Sequence, residues 1–144
     1  MINKLSGLAE QLLELTTRIR ETLAADVTIS SYGFKYGEPF PDAQMRIDLR
    51  NRISNPQDHL PKGAVGTDRI VHKAVLGNDR NKKIFASYLA RAKKLVKKES
   101  SVSIAFGCTS GIHRSVVFAE ELAKKLGALR HSIEIVHVHL RTET

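Results

Sequence analysis

The chain contains a single cysteine and has no long apolar run, and these two absences exclude several classes of protein. One cysteine cannot form an intramolecular disulfide, so nothing indicates a disulfide-stabilised secreted protein. No segment is apolar over the length that a membrane-spanning helix needs, and the N-terminus is amphipathic rather than a signal peptide. Zinc-ligand spacings of cysteine and histidine are absent, as is a Gly-x-x-x-x-Gly-Lys nucleotide loop. We therefore expect a soluble cytoplasmic protein with no metal, no cofactor and no membrane contact.

Acidic residues are in the minority, because 15 aspartates and glutamates stand against 23 lysines and arginines, for a formal net charge of +8. Such an excess favours polyanionic partners, either nucleic acid or phosphorylated small molecules. The 144 residues, 42% of them hydrophobic, suffice for one ordinary core. The sequence therefore predicts a single basic domain.

Much of the positive charge is concentrated in one predicted helix, from Asn81 to Lys98. The basic positions that we assign to a surface on this helix are Lys82, Lys83, Arg91, Lys94, Lys97 and Lys98. Two interpretations of this surface remain open. It is either an RNA-binding face whose lysines contact backbone phosphates, or the ordinary solvated face of an amphipathic helix.

The hydrophobic pattern predicts helices and strands in alternation. Steps of three and four between apolar residues predict a first helix within residues 1–25, and residues 26–144 form the domain proper. In that domain we predict strands at Val27–Tyr32, Met45–Leu49, Val102–Phe106 and Ile133–His139, and helices at Asp68–Leu76, Asn81–Lys98 and Val116–Leu126. This order indicates an α/β fold, a single layered domain with a mainly parallel sheet flanked by helices and an extra N-terminal amphipathic helix.

The apolar seam of the first helix is narrow, and it consists of Leu5, Leu8, Leu12, Leu15 and Ile19. A seam of this width suits pairing with a second copy of the chain, which would make a homo-oligomer through residues 3–23. The alternative is that the helix docks on its own domain.

The stretch from Gly107 to Ser115 joins a predicted buried strand to a predicted helix through a small, hydroxyl-rich loop. Backbone N–H groups at the start of a helix have no intrahelical acceptor, and the helix dipole adds positive character there. Arg114 adds a guanidinium fork. The loop residues that we assign to an anion site are Cys108, Thr109, Ser110, Gly111, Ile112, His113, Arg114 and Ser115. The site is expected to take a phosphorylated small molecule, or phosphate or sulfate.

The same stretch has a second, catalytic interpretation, because its Cys-x-x-Gly-x-x-Arg-Ser spacing resembles the phosphate loop of cysteine-dependent phosphatases. In that mechanism Cys108 attacks phosphorus, Arg114 holds the phosphate, and Asp48 or Asp68 protonates the leaving oxygen. The alternative for Cys108 is a small buried residue that fills space beneath the loop.

Parallel strands bring further residues to the same edge of the sheet. Lys35, Tyr36 and Arg50 would add polar and positive groups beside the loop, and Asp48 would accept hydrogen bonds from a ligand. Other interpretations remain open. Asp48 and Arg50 also fit a local ion pair, and Asp68 fits a helix cap.

Four motifs together carry a resemblance to a known family. They are Ser31–Gly37, Asp48-Leu49-Arg50 with Asn55-Pro56, Gly66-Thr67-Asp68, and Gly107–Val116. In this order, over Val27 to Leu140, they resemble the RapZ C-terminal domain, a family of bacterial small-RNA adapter proteins. The resemblance implies an α/β domain whose pocket binds glucosamine phosphate and whose basic surface binds structured RNA. It implies a pocket lined by Cys108, Thr109, Ser110, Gly111, His113 and Arg114, with Lys35 and Tyr36 beside it.

The chain departs from the family pattern at a few positions. Ser110 replaces a glycine of the loop, and Tyr36 replaces a histidine of the first motif. A short amphipathic helix stands where the family has a nucleotide-binding domain, so we expect a stand-alone domain. The expected role is that of a sensor or adapter domain rather than an enzyme.

Overall fold

A computed structural model describes residues 2–22 and 24–140. Over these ranges the chain forms four α-helices and four β-strands. The helices are α1 (Ile2–Thr22), α2 (Arg69–Leu76), α3 (Asp79–Lys98) and α4 (Arg114–Ala128), and the strands are β1 (Asp26–Gly33), β2 (Met45–Asp48), β3 (Ser101–Cys108) and β4 (Ser132–His137). Each predicted element is present, with ends that differ from the prediction by a few residues.

The sheet has the strand order β2-β3-β1-β4, and all its strand pairs are parallel. In the central pair Ile29 lies opposite Ile104, and Gly33 lies opposite Cys108. The predicted mainly parallel α/β fold is confirmed. Because parallel strands all end at one edge, the segments that follow β1, β2 and β3 meet there, as the backbone bond from Leu49 N–H to the Gly107 carbonyl shows (2.8 Å).

The core lies on one face of the sheet, where α3 and α4 cover β3. An aromatic cluster of edge-to-face pairs marks this contact, formed by Phe85, Tyr88, Phe106 and Phe118. The first turns of α4 are buried on all sides, including Val116, Val117, Phe118 and Ala119. A helix that is apolar all round its start must lie between other elements, which fixes α4 and the loop before it in the middle of the domain.

Local polar contacts fix the helix starts. Asn78 caps α3 by accepting from the N–H of Asn81, whose own amide donates to the Val75 carbonyl at the end of α2. Asp68 occupies the position before α2, but its side chain makes no capping bond. Its carboxylate instead accepts from the Val65 N–H (2.8 Å) and thereby holds the loop that precedes α2.

The N-terminal helix α1 leaves much of its apolar seam uncovered. It contacts α3, yet Leu8, Leu12 and Leu15 stay 50%, 65% and 53% exposed. The side chains of Leu5 and Ile19, which the sequence analysis also placed in the seam, lie outside the described side chains. None of the helices in the described ranges is long and apolar enough to cross a membrane.

Candidate anion-binding site

The loop between β3 and α4 is held at the carboxyl edge of the sheet by two glycines that face each other. Gly111 has φ +77°, a left-handed conformation that glycine adopts without strain. A Cβ on Gly33 would lie 2.4 Å from the carbonyl carbon of Ser110, and one on Gly111 would lie 2.6 Å from the Gly33 nitrogen. The β1 end and the motif loop are therefore in direct backbone contact, which only glycines at both positions allow.

A cavity of about 270 Å³ lies over this loop. It is lined by Lys35, Asn55, Gln57, Cys108, Thr109, Ser110, Ile112, His113 and Arg114. The structure thus brings most of the predicted loop residues together with Lys35. Gly111, Ser115, Tyr36, Asp48 and Arg50 were also assigned to the site, and they lie outside this lining.

Arg114 is the cationic centre of the cavity, and it is buried with only 5% of its surface exposed. Its Nη1 donates to the carbonyls of Arg50 (3.2 Å) and Ile53 (2.9 Å), and its Nη2 donates to Thr109 Oγ1 (3.2 Å). All these acceptors are uncharged, and no carboxylate in the described ranges pairs with the guanidinium. Asp48 is near enough for Arg114 to help lower the pKa of its carboxyl, but it makes no direct ion pair with the buried guanidinium. An anion in the adjoining cavity would give this buried charge a direct ionic partner.

The start of α4 adds partial positive charge to the cavity. His113 occupies the cap position and makes no side-chain capping bond to the helix. The first-turn N–H groups of α4 therefore receive no cap from His113, and helix N-termini of this kind bind anions. The imidazole of His113 turns the other way, and its Nε2 donates to the Ala64 carbonyl at 2.7 Å.

Cys108 lines the cavity but is 2% exposed. Its Sγ donates to the buried hydroxyl of Ser115 at 3.1 Å. The two proposed general acids are held elsewhere: Asp68 binds the Val65 N–H, and Asp48 binds the Arg50 guanidinium (2.7 Å). The hydrogen bonds from Arg50 lower the pKa of the Asp48 carboxyl, which disfavours the protonated form that a general acid needs.

Arg50 and Asp48 form the local ion pair that the sequence analysis kept as an alternative to ligand binding. The Arg50 guanidinium also stacks on the Phe34 ring at 3.7 Å from its centroid. Beyond it Lys35 lies over the Tyr36 ring, which in turn packs against His139 (centroids 4.5 Å apart). Tyr36 therefore belongs to a stacked wall beside the cavity.

The cavity also contains two residues that the sequence analysis did not assign to the site, Asn55 and Gln57. Asn55 Oδ1 accepts from the Gln57 N–H (3.1 Å), so the two residues form one tight turn that faces the motif loop. The available signal was the Asn-Pro dipeptide at 55–56, which marks a turn after a strand that ends at the site edge.

His137 and His139, near the end of the described chain, make separate contacts. His137 Nδ1 lies 2.6 Å from Ser31 Oγ and its Nε2 lies 2.7 Å from Glu120, whereas His139 Nδ1 accepts from the Gly33 N–H (2.8 Å). Over the part of the chain described, no group of histidine, cysteine and acidic residues is placed to hold a metal ion.

The basic surface of α3 is exposed to solvent, and none of its residues lines the cavity. Its exposed members are Lys82, Lys83, Arg91, Lys94, Lys97 and Lys98. None of them forms an ion pair within the described ranges. This surface therefore presents uncompensated positive charge to solvent.

A parallel α/β sheet with a cation, a helix start and hydroxyls at its carboxyl edge defines an α/β domain with a candidate anion site at that edge. The comparison with known families gives a more specific assignment. The model of the RapZ C-terminal domain family matches residues 25–141 of this chain. The chain belongs to the RapZ C-terminal domain family.

Relatives of this chain include three bacterial proteins that are each named a nucleotide-binding protein. The one from Lacticaseibacillus casei is 34% identical over 122 residues, and those from Pediococcus pentosaceus and Leifsonia xyli are 36% identical over 126 and 129 residues. The matched segments cover 79%, 82% and 81% of this chain but 40%, 42% and 43% of the relatives. The chain thus spans about two fifths of the length of these relatives.

Proposed function

We propose that this domain binds a phosphorylated small molecule, with the phosphate in the cavity over the motif loop. The observation that carries the proposal is Arg114, a buried cation whose protein partners are all uncharged. A phosphate in the cavity would complete its coordination with a charge-assisted bond and would also accept from the α4 start. The relatives' name, nucleotide-binding protein, agrees with a phosphorylated ligand. An amino-sugar phosphate is the ligand that the family resemblance favours.

The test is a thermal-shift titration of the full chain with inorganic phosphate, sulfate, a hexosamine 6-phosphate and a nucleoside monophosphate. A bound ligand at 100 times its Kd stabilises the fold by about 2.7 kcal/mol, which raises Tm by several degrees. Lys35→Ala and Arg114→Met are expected to lose this shift. Arg46→Met, at an exposed position of β2, is the matched control and should retain it. No shift with any of these anions would reject the proposal.

A sensor or adapter role follows from this binding better than catalysis does. The cavity contains a thiol and a guanidinium, but neither Asp48 nor Asp68 lines it. Phosphatase activity through Cys108 remains the second candidate, because its Sγ lies at the cavity beside the Ser115 hydroxyl. Release of phosphate from the bound ester by wild type, and its loss in Cys108→Ser, would establish the enzyme. Stabilisation without release would establish a binding pocket and favour the sensor role.

RNA is a second proposed partner, and its support is the unpaired basic surface of α3. Backbone phosphates bind such surfaces through counterion release, so affinity for an RNA hairpin should fall more than tenfold between 50 and 200 mM salt. Lys94→Glu with Lys97→Glu should weaken binding and flatten the salt dependence. The control pair, Lys73→Glu with Lys124→Glu, changes charge equally on α2 and α4 and should bind more tightly than the α3 pair. Equal losses in both pairs would show that only net charge acts.

Self-association through α1 is the third part of the proposal. The exposed leucines of the seam, Leu8, Leu12 and Leu15, recur at steps of four and three. This is the spacing of helices that form coiled coils. A pair would bring two basic surfaces and two cavities into one particle and so increase avidity for an RNA with several sites.

A further inference from the structure

A groove of about 680 Å³ lies between α2, α3 and α4, and we refer to it as the helix groove. It shares no lining residue with the cavity over the motif loop. Of the basic surface assigned on α3, only Lys82 lines it. The helix groove is therefore a feature separate from the candidate phosphate site and largely separate from the basic surface of α3.

The sequence of α2 builds one wall of this groove. Val71 and Val75 are buried and attach the helix to the core. Arg69, Lys73 and Leu76 recur at steps of four and three, so they share a neighbouring stripe of the helix, and all three line the groove. Because Arg69 and Lys73 are exposed, α2 presents two cations one helical turn apart, followed by an apolar side chain.

The floor of the helix groove is apolar. Leu76 is partly buried against the core, and Phe85 of α3 is 6% exposed. The Phe85 ring meets Phe118 edge to face, with centroids 5.6 Å apart, which fixes its position. A nucleic-acid base stacks on an exposed aromatic face, and this floor does not offer one. An apolar side chain of a peptide can instead pack on Leu76 and the edge of the ring.

The rim of the helix groove is positively charged. Four basic residues contribute to it, Arg69, Lys73, Lys82 and Lys125. The carboxylate of the lining, Glu121, is already engaged, because it lies 3.6 Å from Lys125 Nζ and 3.2 Å from His72 Nε2. Arg69, Lys73 and Lys82 form no ion pair within residues 2–22 and 24–140. Three cations beside an apolar floor thus remain available to an incoming acidic group.

We propose that the helix groove docks an acidic segment of a partner protein, in which one or two apolar residues are flanked by aspartates or glutamates. The apolar side chains of the segment cover Leu76 and the edge of Phe85, and its carboxylates pair with Arg69, Lys73 and Lys82. Charge-assisted bonds at the rim and burial of apolar surface at the floor then act together. An RNA strand would use the cations but would leave the floor uncovered.

Fluorescence anisotropy of the full chain with fluorescein-labelled peptides tests this inference. The probe is Glu-Glu-Leu-Phe-Glu-Glu. One comparison peptide, Glu-Glu-Ser-Ser-Glu-Glu, keeps the charge without the apolar centre, and the other, Lys-Lys-Leu-Phe-Lys-Lys, keeps the centre with the opposite charge. The probe should bind at least about tenfold more tightly than either comparison peptide, since each of them loses one of the two contributions. Varying the peptide tests the floor without disturbing the core of the protein.

The rim is tested on the protein. Arg69→Glu with Lys73→Glu should lower the affinity for the probe by about tenfold or more, because two partners of its carboxylates become repulsive. The matched control is Lys93→Glu with Lys97→Glu, which also reverses two exposed charges one turn apart but lies outside the groove. This control should retain the wild-type affinity for the probe, and it should weaken binding of an RNA hairpin more than the α2 pair does.

Absence of probe binding, or equal binding of the serine peptide, would overturn the inference. Equal losses of probe affinity in the two charge-reversal pairs would show that only net charge acts, and would overturn it as well. If the α2 pair weakened binding of the RNA hairpin but not of the probe, the groove would belong to an RNA surface and the peptide site would be rejected. The candidate phosphate site is unaffected by each of these results, because the two sites share no residue.

Discussion

Arg114 has two roles, since it holds neighbouring loops by hydrogen bonds and also lines the cavity. From the sequence alone, the guanidinium of Arg114 is expected to bind a ligand. The Cys-x-x-Gly-x-x-Arg-Ser spacing places this arginine as in a phosphate-binding loop. In the structure the same group already donates to the Arg50 and Ile53 carbonyls and to Thr109. These bonds orient the charge toward the cavity before any ligand arrives, and preorganised donors lower the cost of binding.

Gly33 gives the sharpest prediction at the residue scale. Gly33→Ala places a methyl group 2.4 Å from the Ser110 carbonyl carbon and 2.5 Å from its oxygen, and this backbone has nowhere to move without opening the loop. We expect a loss of about 2–4 kcal/mol in the free energy of unfolding, measured by urea denaturation, together with the loss of phosphate-dependent stabilisation. Gly7→Ala on α1, where a Cβ meets nothing within 4 Å, should be neutral or stabilising. Equal effects of the two substitutions would contradict the proposed backbone contact.

The protonation state of His139 predicts how stability varies with pH. Burial lowers the pKa of His139 below 6.5, because the charged imidazolium loses hydration. Its Nδ1 must also be unprotonated to accept from the Gly33 N–H. The unfolded chain takes up this proton first as pH falls, so the stabilisation is complete above about pH 6.5 and is lost progressively below it.

This dependence is measured by denaturation midpoints between pH 7.5 and 5. His139→Asn keeps an acceptor near the position of Nδ1 but does not titrate, so it should reduce the fall in stability on acidification. His59→Asn, at an exposed position of the turn Gln57–His59, is the control and should leave the profile unchanged. A profile that is the same in wild type and His139→Asn would show that other groups dominate.

At the scale of elements, the distinctive feature is a set of histidine contacts between β1 and β4. Three histidines each bond to a residue 106 positions earlier: His131 accepts from the Ala25 N–H, His137 meets Ser31, and His139 accepts from the Gly33 N–H. His137 also reaches Glu120 on α4, so the edge strand is tied both to its neighbour and to the helix that covers it. The spacing of these histidines indicates a strand, but nothing in the pattern identifies their partners.

Removal of the contact between His137 and Ser31 should destabilise the β4 edge of the sheet. His137→Phe leaves the fully buried Ser31 hydroxyl without its partner, which costs about 1–3 kcal/mol in the free energy of unfolding measured with urea. Adding Ser31→Ala removes the orphaned hydroxyl, so the double variant should be more stable than the sum of the single effects predicts. His59→Phe should change stability by less than about 0.5 kcal/mol. Strict additivity of the two substitutions would argue against a bond between these side chains.

Elements were more predictable from the sequence than the site was. Period-two and period-3.6 patterns located the four strands and four α-helices of the described ranges because they reflect which face is buried, as in Val27 and Ile29 on β1. The stretch 109–114 was also recognisable, since a glycine, hydroxyls and an arginine between a strand and a helix are typical of an anion-binding loop. The Asn-Pro dipeptide indicates a turn at 55–56, but the position of that turn beside the motif loop depends on how β2 and β3 align, which no local pattern encodes. Asn55 and Gln57 were therefore missed.

At the scale of the whole molecule, three features are open to solvent. The cavity over the motif loop opens at the carboxyl edge of the sheet, and the basic surface of α3 and the leucine seam of α1 are both exposed to solvent. Hydrophobic side chains on an exposed helix are unfavourable in isolation, and about 25 cal/mol is gained for each Å² of apolar surface that is buried. Under the proposed self-association, a second copy of the chain would cover the seam and bury part of this apolar surface.

The last prediction concerns the oligomeric state of the protein. The mass from light scattering after size exclusion should be twice the chain mass of 16.0 kDa at high concentration, and it should fall on dilution. Leu12→Asp, at the most exposed described position of the seam, should shift the equilibrium to monomer, because pairing would then bury an unpaired carboxylate. Leu129→Asp introduces the same charge at an exposed position after α4 and should leave the mass unchanged. A wild-type mass of one chain at every concentration would show that α1 does not pair, and the basic surfaces would then act singly.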